Sequence, residues 1–287
     1  MRWNALPKLI NNDVRPPGPS KILLPNTMKL HFYKYQGTGN DFILIDNRDA
    51  QKQLTTAQIA QLCHRRFGIG ADGLMELRSE AGFDFRMMYY NADGREGSMC
   101  GNGGRCLVKF AHFVGIHKSD YRFLASDGEH LASIEANGWV RLKMKNVNTI
   151  ERHGDYDLLD TGSPHFVKRV DNITELDVVS EGRSIRYSDR FKTDGVNVNF
   201  VEPLSSTKLY VRTYERGVED ETYSCGTGVT AAAIAFAHND RGFNHVDIQT
   251  KGGKLYVEFD RKDEDVFEDV WLAGPAEKVF DGFIELL

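Results

Sequence analysis

Two short segments of this chain repeat one pattern, Met99-Cys100-Gly101-Asn102-Gly103-Gly104-Arg105 and Ser224-Cys225-Gly226-Thr227-Gly228. Each reads Cys-Gly-polar-Gly, and each is followed by an unusually apolar stretch. Leu107, Val108, Phe110, Ala111, Phe113 and Val114 follow the first; Val229, Ala231, Ala232, Ala233, Ile234, Ala235 and Phe236 follow the second. Apolar residues on more than one face predict buried helices, here over about residues 101–114 and 226–239, with Gly115 and Gly242 as stops. Two buried helices that open alike, roughly a domain's length apart, predict two similar halves. Each half would be a curved sheet wrapped around its own central helix.

The remaining patterning agrees. Leu30, Phe32 and Lys34 alternate with His31 and Tyr33, and Ile43-Leu44-Ile45 suggests a second strand. Alternation recurs over 83–90, 140–144, 209–213 and 255–259. This is the strand signal. Turns such as Asp127-Gly128 and Asn137-Gly138 favour antiparallel neighbours. A third helix is predicted over 56–65, capped by Thr55 or Thr56. The fold class is therefore α+β, dominated by mostly antiparallel sheet.

Residues 1–27 stand apart. Pro7, Pro16, Pro17, Pro19 and Pro25 fall there without hydrophobic period, which predicts a disordered or non-native extension and makes Met28 a candidate start. Among 287 residues, 41% are hydrophobic, enough for a sizeable core. The net charge of -5, without a long basic run, argues against nucleic-acid binding. No stretch approaches the roughly 20 apolar residues of a membrane span, and the N-terminal residues lack the apolar run of a secretory signal. Four cysteines are too few for a disulfide scaffold. They are read as packing or chemistry in a cytoplasmic protein.

Position suggests chemistry for two of them. A helix N-terminus presents unpaired N–H groups and the positive end of the helix dipole. A thiol there is expected to ionise more readily, and the same N–H groups can hold a carboxylate. Two such motifs facing each other suit inversion at a carbon centre. One cysteine, as thiolate, removes an α-proton, and the other, as thiol, returns one to the opposite face. Cys63 and Cys106 are read as structural.

These motifs resemble the diaminopimelate epimerase family, and the resemblance runs from Met28 onward. Gln36-Gly37-Thr38-Gly39-Asn40-Asp41-Phe42 looks like its first signature and Arg66-Phe67-Gly68-Ile69-Gly70-Ala71-Asp72-Gly73 like its next. Asn91-Ala92-Asp93-Gly94, the Cys100 block, Gly162-Ser163-Pro164-His165, Val196-Asn197-Val198, Tyr214-Glu215-Arg216-Gly217 and the Cys225 block follow in order. The resemblance implies two pseudo-symmetric halves, 28–146 and 147–275, with the active site between them and the last strand, 276–287, returning to the first half. It implies a homodimer acting on a small amino acid, with no metal, no pyridoxal phosphate and no other cofactor. Cys100 and Cys225 would be the catalytic pair, with His165 and Glu215 tuning them. Gly101, Asn102, Gly226 and Thr227 would bind the reacting carboxylate. Asn40, Asn91, Asn197 and Arg216 would recognise other polar groups of the substrate, and Glu215 an ammonium.

The family often carries Gln at the position of Gly73 and Asn at that of Ser163, so contacts at these two positions are expected to differ. Three other readings compete, of which a binding protein on an inactive epimerase fold is opposed by the presence of both cysteines and Glu215-Arg216. Proline-type racemases also use two cysteines, but their first motif usually has His where Asn102 stands. A thiol redox protein would use acidic cysteines, but no Cys-x-x-Cys pair is present. Gly37-Thr38-Gly39 lacks the third glycine of a dinucleotide loop and runs into a strand.

Overall fold

The computed structural model describes residues 28–286; the extension expected over 1–27 lies outside them. The first part of the chain forms β1 (Met28–Gly37), β2 (Asn40–Asp46), α1 (Thr56–Cys63), β3 (Gly73–Arg78), β4 (Phe85–Asn91), α2 (Gly101–Phe113), β5 (Asp120–Ala125), β6 (Gly128–Ile134) and β7 (Val140–Lys143). The second forms β8 (Glu151–Arg152), β9 (Tyr156–Asp160), β10 (Pro164–Arg169), α3 (Val178–Arg186), β11 (Asn197–Ser205), β12 (Lys208–Glu215) and β13 (Asp220–Thr222). It continues with α4 (Gly226–Ala235), β14 (Gly242–Thr250), β15 (Gly253–Asp263), β16 (Val266–Gly274) and β17 (Glu277–Leu286).

The pairing pattern repeats. From β1 to β7, each strand pairs with the next; β2/β3 and β4/β5 are parallel and the others antiparallel. From β9 to β16 the same succession recurs, with β10/β11 and β12/β14 parallel. Parallel neighbours need a long crossover, usually a helix. α1 and α2 supply the crossovers of the first succession, α3 and α4 those of the second. β7 pairs with β16, and β17 pairs with β1, so the strands form one 17-stranded hydrogen-bonded sheet.

The alternating segments are all strands, although β4 begins at Phe85 and β7 ends at Lys143. Thr38 and Gly39 both have positive φ, 51° and 87°, which makes the β1–β2 connection a tight hairpin rather than a phosphate loop. Helix α1 has the capping box that Thr55 and Gln58 allow. It stops at Cys63 because His64 turns extended and its Nδ1 accepts from the Arg66 and Phe67 N–H groups. α4 ends at Ala235, short of Asn239, whose amide instead meets the strand residues Phe243 and Asn244.

Helix α3 corrects the expectation of three helices. Its sequence is polar and carries Gly182 in mid-helix, which hides the helical period. Gly182 is required by packing, since a Cβ there would lie 2.3 Å from Cβ of Tyr214. Asp177 caps the helix by accepting from the Ser180 N–H. The apolar faces of α2 and α4 share one large core with strands of both successions. Fully burying a side chain such as Leu107, Phe110 or Ile234 contributes about 1.5–3 kcal/mol each. Smaller cores lie under α1 and α3.

Candidate active site

The two Cys-Gly-polar-Gly motifs form the first turns of α2 and α4, and the two helix starts meet. A Cβ built on Gly226 would lie 3.6 Å from Cα of Gly101, an ordinary contact distance, and 3.2 Å from Leu272 Cδ2, so the two helix starts touch with Leu272 packed against their junction. Cys100 and Cys225 are the N-cap residues, with extended backbones at φ -103° and -110°. Neither sulfur makes an ordinary capping bond to its own helix. The first-turn N–H groups of Gly101, Asn102, Gly226 and Thr227 belong to the orphan donors of the two helices.

Electrostatics at the sulfurs depart from the expectation of acidic thiols. Burial pushes the Cys100 thiol up, and Glu215 adds to this; the Gly103 and Asn102 N–H groups and Arg105 oppose it. Burial and Glu215 also push Cys225 up, against the Thr227 hydroxyl and the Gly228 N–H. Desolvation of a buried anion therefore outweighs the helix start at both positions. Glu215 itself is raised by burial and by Asp72, while Cys225 stabilises its charged form.

Around Cys100, the thiol donates to Asn40 Oδ1 at 3.6 Å. The Asn40 amide donates to Asp72 at 2.5 Å, and Asp72 is held by Arg65. Asn102 donates to the Ser224 carbonyl at 2.8 Å and to Asn40 Oδ1 at 3.4 Å. Around Cys225, hydroxyls form a chain. The sulfur lies 3.5 Å from Thr227 Oγ1, which lies 3.4 Å from Ser163 Oγ. Ser163 lies 3.1 Å from His165 Nε2, and Asn199 donates to His165 Nδ1 at 3.0 Å. That bond fixes the neutral tautomer with the proton on Nε2. Burial lowers the His165 pKa to about 3, opposed by Asp160 and helped by Arg216. His165 therefore meets Cys225 through two hydroxyls rather than directly.

Asn197 donates to Ser163 at 3.0 Å and accepts from the Arg216 N–H at 2.9 Å, which places β11 and the end of β12 together. Arg216 is exposed, and among the described residues its guanidinium donates only to the Asp194 carbonyl, leaving donors for a carboxylate. Asn91 ends β4 opposite Gly73 and closes the turn to Gly94. At Gly73, a Cβ would lie 2.6 Å from the Tyr89 ring and from the Tyr90 carbonyl, so Tyr89 fills the side-chain space.

Reading the sequence missed Asp72, Tyr89, Arg105 and Asn199. Arg105, a cation in an otherwise apolar helix, and Asn199, two residues from Asn197 on the same strand face, carried a signal; Tyr89 and Asp72 did not. Among the described residues, no group of three or more His, Cys, Asp or Glu is placed to hold a metal ion, and no helix is long and apolar enough to cross a membrane.

The family model described as diaminopimelate epimerase matches residues 32–150 and 158–279. A diaminopimelate epimerase of Flavobacterium psychrophilum is 52% identical over 256 residues, covering 88% of this chain and 99% of that protein. One of Chlorobaculum tepidum is 44% identical over 259 residues, covering 87% and 99%. Among solved structures, a PhzF-family phenazine biosynthesis protein of Bacillus anthracis superposes with a TM-score of 0.71 at 14% identity, covering 91% of this chain and 99% of that one. A hydroxyproline epimerase of Agrobacterium vitis, with trans-4-hydroxy-L-proline bound, superposes with a TM-score of 0.64 at 12% identity, covering 90% and 93%. At such identities the structural likeness speaks for the fold.

Proposed function

The chain belongs to the diaminopimelate epimerase family, and from that premise we propose that Cys100 and Cys225 carry the proton transfers of its reaction. The protein is an isomerase that epimerises diaminopimelate, a reaction of lysine biosynthesis. In the proposed mechanism one cysteine, as thiolate, takes the α-proton, and the other, as thiol, delivers a proton to the opposite face of the carbon. The charge of the pair is unchanged overall, with the thiolate now on the second sulfur, and the reverse reaction exchanges the roles.

The observation that carries this reading is the meeting of two cysteine-capped helix starts at Gly101 and Gly226. Losing an α-proton spreads negative charge onto the neighbouring carboxylate. Fixed N–H donors at the two helix starts would hold that carboxylate and stabilise the charge as it develops. Burial of both sulfurs makes the thiolate a stronger base than in water, which suits a weakly acidic carbon. Arg216 and Asn197 would hold the distal carboxylate, the planar guanidinium suiting both of its oxygens. Asn40 and Asn91 would contact other polar groups and Glu215 an ammonium. Glu215 tunes both sulfurs by its charge, and His165 acts on Cys225 through Ser163 and Thr227.

The test is proton exchange in deuterium oxide. The reduced protein with LL-diaminopimelate should lose the α-proton signal and form the meso isomer, and both Cys100→Ala and Cys225→Ala should abolish this. Retention of epimerisation in either variant would overturn the assignment. The chain is further proposed to act in the cytoplasm as a homodimer, which sedimentation equilibrium would check by mass.

A further inference from the structure

Arg105 is a fully buried cation without a counter-ion among the described residues. It is among the largest completely buried side chains. Its Nη2 donates to Thr38 Oγ1 at 3.2 Å and to Asn102 Oδ1 at 3.1 Å, and Nη1 donates to the Gly101 carbonyl at 3.5 Å. All these acceptors are neutral, and Nε has no partner among the described residues. A buried charge facing only neutral groups is among the costliest arrangements in a fold.

The surroundings are nevertheless built to hold it. Thr38, a β-branched residue, is kept at φ 51° with its hydroxyl on the guanidinium, a backbone conformation such residues rarely adopt. A Cβ at Gly274 would lie 2.3 Å from Leu255 Cδ2 and 3.3 Å from Arg105 Nε, so Gly274 leaves room for Leu255 first and for the edge of the Arg105 side chain. Burial disfavours this charge, and two thiols beside it favour it, Cys106 and then Cys100. Cys106 is deeply buried and its thiol is pushed up to about 12, so it stays neutral. Cys100, at the helix start, is the group left to carry the opposite charge.

The other helix start differs. Thr230 stands in α4 where Arg105 stands in α2, and its hydroxyl donates to the Gly226 carbonyl at 2.9 Å. A neutral hydroxyl therefore replaces the guanidinium beside Cys225. Glu215, on β12, faces both sulfurs and disfavours a thiolate at either. Tyr89, on β4, interacts with Cys100, but its phenol is pushed up by burial and stays neutral. Asp72 is held by Arg65 and Asn40. Asn40 Oδ1 favours the Cys100 thiol, but a neutral S–H···O contact at 3.6 Å is weak beside a full charge in a low-dielectric interior.

We propose that Arg105 is a positioning residue for charge: through Asn102 and the first turn of α2, its guanidinium makes Cys100 the more acidic of the two cysteines, so that Cys100 carries the thiolate and Cys225 the thiol. This rests on the two-thiol mechanism, although its test needs no substrate.

The experiment follows iodoacetamide alkylation of each cysteine across a pH series, resolved by peptide mass spectrometry. In the wild-type protein Cys100 should react with the lower midpoint. Arg105→Met should raise the Cys100 midpoint by about 1–3 pH units and leave that of Cys225 in place, and Arg105→Lys should recover most of the change. At fixed neutral pH, kcat should fall about tenfold per unit of midpoint shift, with little change in KM. A lower midpoint for Cys225 in the wild type overturns the proposal whether or not the variants fold, as does an unmoved Cys100 midpoint in folded Arg105→Met. Deuterium exchange without midpoint asymmetry refutes Arg105 alone. Asymmetry without exchange supports it and refutes the epimerase mechanism.

Discussion

Asn102 and Ser224 tie the two helix starts together: the Asn102 amide donates to the Ser224 carbonyl at 2.8 Å, one residue before Cys225. The same side chain accepts from Arg105, so one amide orients both motifs. Asn102→Leu takes the donor from the Ser224 carbonyl and one of three acceptors from the buried Arg105 guanidinium. The expected loss is about 1–3 kcal/mol per uncompensated group, read by urea unfolding, together with a kcat loss larger than the change in KM. Unchanged stability and activity would refute the bridging role.

Ser163 joins His165, Asn197 and Thr227. Ser163→Ala removes the hydroxyl between the imidazole and the Thr227 hydroxyl next to Cys225. It should lower kcat by about tenfold, less than the roughly 10²–10⁴-fold of a group that transfers the proton itself, and Ser163→Thr should restore part of it. Equal activity of wild type and Ser163→Ala in the exchange assay would show that the chain of hydroxyls is idle.

His165 makes stability depend on pH. Its folded pKa, lowered by burial to about 3, lies below the unfolded value of about 6.5. Between these values the unfolded chain binds a proton that the native state does not. This residue therefore makes stability rise with pH through that window, by up to about 1.4 kcal/mol per pH unit, with the full contribution reached above the unfolded value. Urea unfolding of wild type and His165→Gln at several pH values between 4 and 7 isolates the effect. A difference between the two that does not vary with pH would contradict a buried neutral imidazole.

Gly182 sets two principles against each other. In an isolated helix, Gly→Ala stabilises by about 1 kcal/mol. In α3 the added Cβ would meet Tyr214 at 2.3 Å, and overpacking costs about 1–3 kcal/mol. Gly182→Ala should therefore lower the melting temperature. A rise would mean that α3 shifts off β12 at little cost.

The sequence by itself determined what depends on local pattern. The paired motifs placed Cys100 and Cys225 at helix starts, because a glycine-rich turn followed by apolar residues admits few other conformations. Alternation located β1, β4, β7, β12 and β15, the apolar run Ile43-Leu44-Ile45 located β2, and the missing third glycine after Gly37-Thr38-Gly39 excluded a dinucleotide loop. Helix α3 escaped because Gly182 and its polar neighbours blur the helical period, and only contact with Tyr214 explains that glycine. The tertiary structure decided everything that depends on long-range approach: the pairing of β7 with β16, the Tyr89 ring in the space at Gly73, and the hydroxyl chain from Cys225 to His165. It also reversed the expected direction of the thiol pKa shifts. A helix start is visible in sequence, but the loss of water around a sulfur exists only once distant strands and helices have closed over it.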